Sequence, residues 1–301
     1  MSESRYCLGV IGGSGIISVG EGVEFTGEPI FVKANIVDTP YGPPSGPIVK
    51  SRGDRVDFLF LARHGLGHSI PPSAINVRAN IYALKTLGAT HVVSISAVGS
   101  LRGSIEPGHL VAVNQIIDRT LRRASTFFDE PGIAAHVGFA DPVCPSLRAA
   151  LIAAVREEVP DVVLHSQGTI VVIEGPRFST RAESEQYRQT GADVIGMNAM
   201  PEAVLCREAE LPYALLALST DYDCWHRGEE AVSADMVAAV MRANSGKAVR
   251  AIIALADRLP DPATSPAYRC LDSAIMTSPQ LLTEGRTRKL AWLRPFSAIH
   301  Q

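Results

Sequence analysis

Residues 213–225 read YALLALSTDYDCW. The first six form a near-continuous apolar run, which predicts a β-strand covered on both faces. The run ends in a polar knot: Ser219, Thr220, Asp221, Tyr222 and Asp223. In open α/β sheets, ligands bind just beyond the carboxyl ends of the strands. Two carboxylates therefore stand where a ligand is expected. If strand geometry continues, Asp221 and Asp223 point to the same side. A lone D-x-D reads equally as a solvated turn, so the rest of the chain has to decide.

The chain has 301 residues, enough for one large α/β domain or two smaller ones. Hydrophobic residues make up 46% and charged residues 20%, so a sizeable core can be buried. The formal net charge is −3, and no basic run with interleaved aromatics favours nucleic acid. The apolar stretches fall short of the ~18 residues that a membrane span needs. The N-terminus lacks a basic region followed by a long apolar run, which argues against a secretory signal. The cysteines, Cys7, Cys144, Cys206, Cys224 and Cys270, are odd in number and scattered. That pattern predicts free thiols in a reducing, cytoplasmic setting. With no CxxC or HExxH, no metal site is expected.

Other strand ends repeat the theme. Residues 6–11 predict a strand running into Gly12-Gly13-Ser14-Gly15, a turn whose backbone N–H groups can approach an anion. Ser18 stands where a dinucleotide fingerprint needs a third Gly or Ala. By itself the loop reads as well as a tight βα turn. Residues 56–61 predict a strand ending at Arg63-His64, a basic pair that reads as phosphate-binding or as plain surface. Residues 91–95 predict a strand ending in Ser96-Ala97-Val98-Gly99-Ser100, and residues 110–117 another. A strand over 168–173 leads into Glu174-Gly175-Pro176-Arg177-Phe178-Ser179. Helices are expected over 74–87, capped by Ser73, and over 146–158, 180–189 and 233–259. Pro201 suits the first turn of a helix running to Glu208. Residues 118–145 predict a long irregular region, and such loops are usually functional or interfacial. Residues 260–301 differ in character. The expected organisation is one domain over 1–259 and a C-terminal extension over 260–301 that packs on it or on a neighbouring subunit.

Strands alternating with helices imply an α/β fold. Five strand ends carry ligand-type residues, which is stronger than any one alone. The strings GVIGGSG, LARHG, ANIYALKTLG, AVGSLR, IDRT, IEGPRFSTRAES, GADVIGM, MPEA and TDYDCW resemble the trimeric purine nucleoside phosphorylase family, in its 5′-methylthioadenosine-cleaving branch. The resemblance runs from about Gly9 to Leu259. It implies a single α/β domain around a mixed, distorted β-sheet flanked by helices, assembled as a homotrimer. It also implies cleavage of a purine nucleoside by inorganic phosphate, a co-substrate, with no cofactor. Such a reaction serves purine and methionine salvage. By position, the resemblance implies a phosphate site of Ser14, Arg63, His64, Ser96, Ala97 and Asn198. Family members commonly have Thr where Asn198 stands; an amide still donates a hydrogen bond, from a longer arm. Met197 would pack on the ribose, and Phe178 and Ser179 would lie beside the base. His136 would reach the 5′ group across a subunit interface, and Ala234 and Val237 match positions near that group.

The residues supply what this chemistry needs. Phosphate must be positioned, and Arg63, His64, Ser14 and Ser96 can do so. The purine must gain a proton or strong hydrogen bond at N7 as it leaves. Asp221 is the candidate general acid, its proton retained by burial and by the nearby Asp223. Asp223, as an acceptor, suits a 6-amino group and rejects a 6-oxo group. The family's 6-oxopurine branch tends to have Asn where Asp221 aligns, so two aspartates imply adenine. An inosine- or guanosine-cleaving phosphorylase, a nicotinamide-dependent oxidoreductase and a non-catalytic nucleoside binder are the competing readings. Asp223, the missing third glycine and the completeness of the residue set count against them in turn.

Overall fold

The computed structural model describes residues 6–13, 32–35, 37–53, 55–226 and 234–293; for 32–35, 234–239 and 242–243 it describes the backbone alone. Among the described residues, eleven strands form one mixed sheet. They are β1 (Tyr6–Gly12), β2 (Val32–Asn35), β3 (Ile48–Arg52), β4 (Val56–Ala62), β5 (His91–Ser100), β6 (Leu110–Ala112), β7 (Gln115–Arg119), β8 (Leu164–His165), β9 (Thr169–Ile173), β10 (Val194–Gly196) and β11 (Tyr213–Asp221).

The ten-residue β5 is the hub, and it is why the sheet is distorted. Its first residues pair in parallel with β1, its length pairs in parallel with β11, and its last two residues pair antiparallel with β10. β1 also pairs with β4, so Gly12 and Ala62 end side by side. The ends of β1, β4 and β11 are thereby carried to one end of neighbouring parallel strands, and Ser96-Ala97, expected beyond a strand over 91–95, lie within β5 itself, where they pair with Ala217 and Leu218.

β11 is buried along all nine residues, as its sequence predicts. Tyr213, Leu215 and Ala217 join one core layer, while Ala214, Leu216 and Leu218 join the other. The first layer is completed by α1 (Val77–Thr86) and α4 (Ala199–Glu208). The second is completed by α2 (Pro145–Glu158) and α5 (Ala234–Ala256). Helix α3 (Arg181–Gln189) starts with a capping box, Thr180 and Glu183 each bonding the other's backbone N–H. Beyond α5 come two short helices, α6 (Leu271–Ala274) and α7 (Glu284–Thr287). Leu271, Leu290 and Leu293 of this segment are buried in the α1/α4 layer, and the Trp292 ring sits 4.9 Å from that of Phe127.

Three local expectations need correction. The apolar run 110–117 is not one strand: it divides at Val113-Asn114 because the first half pairs with β11 and β8 and the second with β9. Ser73 does not cap α1. Residues 72–74 form a single 3₁₀ turn, and Asn76 caps the helix by accepting from Ala79 N. Helix α5 ends at Ala256, short of the expected residue 259, and Ser233 lies outside the described residues.

His91 opens β5 with 0% exposure. Its Nε2–H donates to Pro260 O and its Nδ1 accepts from Thr90 Oγ1, both at 2.9 Å. Burial pushes its pKa down to about 4. In the unfolded chain the ring takes its proton near pH ~6.5. The folded state therefore loses stability as pH falls from ~6.5 toward 4, by on the order of 3 kcal/mol, and nothing above that window. Urea titrations at pH 7 and pH 4.5 are expected to show a smaller acid loss in His91→Gln than in the parent. Equal losses would reject the assignment.

Candidate active site

Arg63 follows β4 directly, and its N–H donates to Gly12 O at 3.0 Å, tying the β1 and β4 ends together. The side chain is 1% exposed and does not reach the surface. Its Nε and Nη2 grip Glu202 of α4 at 2.7 and 3.2 Å, and Nη1 donates to Ile95 O at 2.8 Å. Ser94 Oγ also bonds the guanidinium and donates to Glu202 Oε2 at 2.6 Å. Glu202 is itself 2% exposed. The ion pair thus lies beneath the strand ends as a fixed, charge-balanced unit. Removing one partner of such a pair leaves a bare buried charge. Glu202→Ala is expected to cost about 3–5 kcal/mol in urea unfolding, and Glu202→Gln less. A loss within the ~1 kcal/mol of a surface pair would contradict this account.

His64, also buried, bonds Ile70 O through Nδ1 at 2.9 Å, and its ring stacks on His68 with centroids 4.1 Å apart. A carbonyl only accepts, so Nδ1 carries the hydrogen and Nε2 is bare in the neutral ring. Burial drives the pKa down to about 4, and the charges of Arg63, His68 and Arg123 add to the effect.

On β5, Ser96 lies two residues beyond Ser94 and so on the same face; its buried Oγ has no hydrogen-bond partner. Ala97 pairs with Leu218 of β11. Gly196 ends β10 close to this point, where a Cβ would press on Ile170 Cδ1 and Val98 Cγ1, each at 3.3 Å. Met197 and Asn198 follow. Asn198 Oδ1 is buried and unpartnered, and turning the amide over presents an N–H instead. Met197 packs on Gly175, whose φ of +68° and missing side chain leave the room: a Cβ there would sit 2.5 Å from Sδ.

Arg123 fastens these loops together. It bonds Glu174 Oε1 at 3.3 Å and the carbonyls of Met197, Met200 and Glu174 at 2.6 to 2.7 Å. Phe178, in the loop after β9, is 42% exposed. Ser179 O accepts from Cys224 Sγ at 3.2 Å, so this loop touches the turn that holds the aspartates.

The two carboxylates meet differently from the sequence expectation. The β11–β5 register pairs Ser219 with Val98 and Asp221 with Gly99, leaving Thr220 as a bulge. Asp223 then adopts a left-handed φ of 51°. A bulge re-aims a side chain, and here it precedes both aspartates, while the strand ends at Asp221 and the turn at Asp223 folds its backbone N–H onto the Asp221 carboxylate. Asp221 Oδ1 accepts the Asp223 N–H at 2.8 Å, and Oδ2 accepts Thr220 Oγ1 at 2.7 Å. Gly99 makes room, because a Cβ there would fall 2.9 Å from Asp221 Oδ1 and 3.3 Å from the Asp223 Cβ. Asp223 is buried and its Oδ2 has no hydrogen bond. Burial raises its pKa above the ordinary value, and the neighbouring Asp221 raises it further, against the Ser184 hydroxyl and the Cys224 N–H.

Some expected residues are not brought together here. His136 is exposed on the loop between β7 and α2, its N–H bonded to Ala274 O. Ser14 lies outside the described residues, as do the side chains of Ala234 and Val237. Sequence reasoning missed Glu202, Ser94 and Arg123. A Glu in the first turn of a helix reads as a favourable dipole partner, and nothing local reveals the arginine it holds. Among the described residues, no group of three or more His, Cys, Asp or Glu is placed to hold a metal ion.

The arrangement can seat a small anion at Ser96-Ala97 and offer a proton from the paired aspartates, a layout suited to displacing a basic leaving group with an anion. A sequence model of the phosphorylase superfamily matches residues 8–256. S-methyl-5′-thioadenosine phosphorylase of Geobacter sulfurreducens is 46% identical over 271 residues, covering 90% of this chain and 91% of that protein. The Danio rerio protein of the same name is 44% identical over 255 residues, covering 82% and 86%. A methylthioadenosine phosphorylase crystal structure from an antarctic soil metagenomic library superposes with a TM-score of 0.85 at 42% identity, covering 97% of this chain and 100% of its own. The Schistosoma mansoni methylthioadenosine phosphorylase in complex with adenine gives 0.82 at 34%, covering 90% and 99%. The chain belongs to the phosphorylase superfamily.

Proposed function

We propose that this protein cleaves S-methyl-5′-thioadenosine with inorganic phosphate, releasing adenine and S-methyl-5-thio-α-D-ribose 1-phosphate. The observation that carries the reading is the buried Asp221–Asp223 pair at the β11 bulge, at the end of the strand that pairs with Ser96 and Ala97 of β5. The relatives named above support it.

Phosphate is held by the Ser96 hydroxyl, the Ala97 N–H, the Asn198 amide, His64 and the Arg63 side of the Arg63–Glu202 pair, with Ser14 from the β1 loop. Held below the sugar, its negative charge stabilises the positive charge that develops as the glycosidic bond breaks. Met197 lies against the ribose, and Phe178 and Ser179 border the base. Adenine's 6-amino group donates to Asp223, which favours that carboxylate's ionised form. The proton the pair shares then resides on Asp221, which passes it to N7 as the base departs. No cofactor takes part; phosphate is a co-substrate. The active protein is a cytoplasmic homotrimer, in which exposed His136 reaches the 5′ group of a neighbouring subunit and Val237 lines that subsite.

The test is base release from 5′-methylthioadenosine, 5′-methylthioinosine, adenosine and inosine, each with and without phosphate. The reading requires that only the adenine nucleosides react, only with phosphate, and the methylthio form fastest. A small apolar 5′ subsite disfavours a hydroxyl by only ~10²-fold, so slower cleavage of adenosine is expected. Turnover of the inosine forms would assign the protein to 6-oxopurines, and phosphate-independent release would make it a hydrolase.

A further inference from the structure

The candidate phosphate site holds little net positive charge for a dianion. Arg63 spends its charge on Glu202, which grips it through two nitrogens at 2.7 and 3.2 Å. Ser96 and Asn198 contribute only neutral groups. His64 donates its single hydrogen, on Nδ1, to Ile70 O at 2.9 Å, so its Nε2 is a bare acceptor. An unprotonated anion oxygen is also an acceptor, so a bond between it and Nε2 needs a proton, which an anion without a hydroxyl of its own cannot bring.

We propose that anion binding at this site is coupled to the uptake of one proton at His64, whose imidazolium then bonds Ile70 O through Nδ1–H and the anion through Nε2–H. The proposal rests on the functional reading above and adds its proton stoichiometry. The charged groups facing His64 are Arg63 and Arg123, with His68 stacked on the ring. All three oppose protonation while the site holds no anion. A bound dianion reverses that balance, because an opposite charge within a few ångströms favours the charged form. Glu202 cannot supply the compensation, since both its oxygens are engaged by Arg63 and Ser94. Burial, which holds the free ring neutral down to about pH 4, leaves the whole range above it for coupling.

Sulfate is the probe, because it is a dianion with no titrating proton of its own near neutral pH. Calorimetric titration in two buffers of different ionisation enthalpy is expected to show about one proton taken up per sulfate at pH 6, with affinity falling about tenfold per pH unit. His64→Gln supplies a neutral N–H donor and is expected to bind sulfate with no proton uptake and a flat pH dependence. His68→Gln is expected to keep the parent's slope. Should His64→Gln fail to fold, the histidine ¹⁵N spectrum of the parent decides: Nε2 must change from unprotonated to protonated as sulfate saturates. Sulfate bound without proton uptake, an unchanged slope in His64→Gln, or a ring that stays neutral would each overturn the proposal. Phosphate-dependent cleavage is assayed on the same preparation. Cleavage together with proton-neutral anion binding rejects this proposal alone, whereas loss of phosphate dependence rejects the functional reading beneath it.

Discussion

Replacing Asp221 with Asn is expected to lower kcat/KM for S-methyl-5′-thioadenosine by about 10²–10⁴-fold while phosphate affinity stays close to the parent's. The reason lies in what each Asp221 oxygen does. Oδ1 accepts the Asp223 N–H and Oδ2 accepts the Thr220 hydroxyl, so the carboxyl is clamped on both sides. Asn can satisfy one of these donors with its carbonyl, but its NH₂ must then face the other. It also has no proton to give to N7. The loss should be concentrated in the chemical step, and single-turnover measurements separate that step from binding. A substrate analogue whose leaving group needs no protonation should be nearly indifferent to the change. A loss of less than tenfold with the natural substrate would end the general-acid role.

The second large effect concerns the base. The parent is expected to prefer 5′-methylthioadenosine over 5′-methylthioinosine by about 10⁴ in kcat/KM. Asp223 is buried with Oδ2 unpartnered, so a 6-oxo group would set one acceptor against another in a site with little water. Asp223→Asn provides a donor and should collapse the preference to below ~10². The pH dependence gives an independent check. Burial and Asp221 raise the Asp223 pKa, so lowering the pH places a proton on a group that otherwise only accepts. A protonated Asp223 can donate to O6, so the parent's discrimination should be greatest at high pH and erode as pH falls. Comparable turnover of the two nucleosides by the parent at pH 8 would remove Asp223 as the specificity determinant.

What was legible beforehand follows physical lines. β11 could be read because a strand covered on both faces must be apolar throughout, and that is a local property of six residues. The cluster of strand ends was legible because parallel strands deliver their carboxyl ends to one edge. The division of 110–117 was not, because its cause is a change of partner strand, which the polar Asn114-Gln115 step does not by itself announce. Nor was the role of Glu202, which depends on an arginine 139 residues earlier in the chain. The aspartate pair was found for an incomplete reason. Their spacing suggests a shared strand face, whereas the strand stops at Asp221 and a left-handed residue at Asp223 turns its backbone N–H onto the Asp221 carboxylate. Arg123 reads in sequence as one of several arginines in a loop, and only the carbonyls of two distant segments, Glu174 and Met197–Met200, make it a fastener.

The bulge at Thr220 also divides one strand into two regimes of tolerance. Before it, residues 213–218 are locked between two core layers, and a change there registers as a shift in melting temperature with the rate of the surviving folded fraction unaltered. After it, the chain no longer keeps step with β5, and a change registers in turnover with little effect on melting. Removing Thr220 would restore the regular pairing, with Asp221 still opposite Gly99, and would take away the hydroxyl that Asp221 Oδ2 accepts. Such a deletion should leave a protein that still folds and sediments like its parent yet has lost its chemistry, so a stability screen alone would pass the variant as sound.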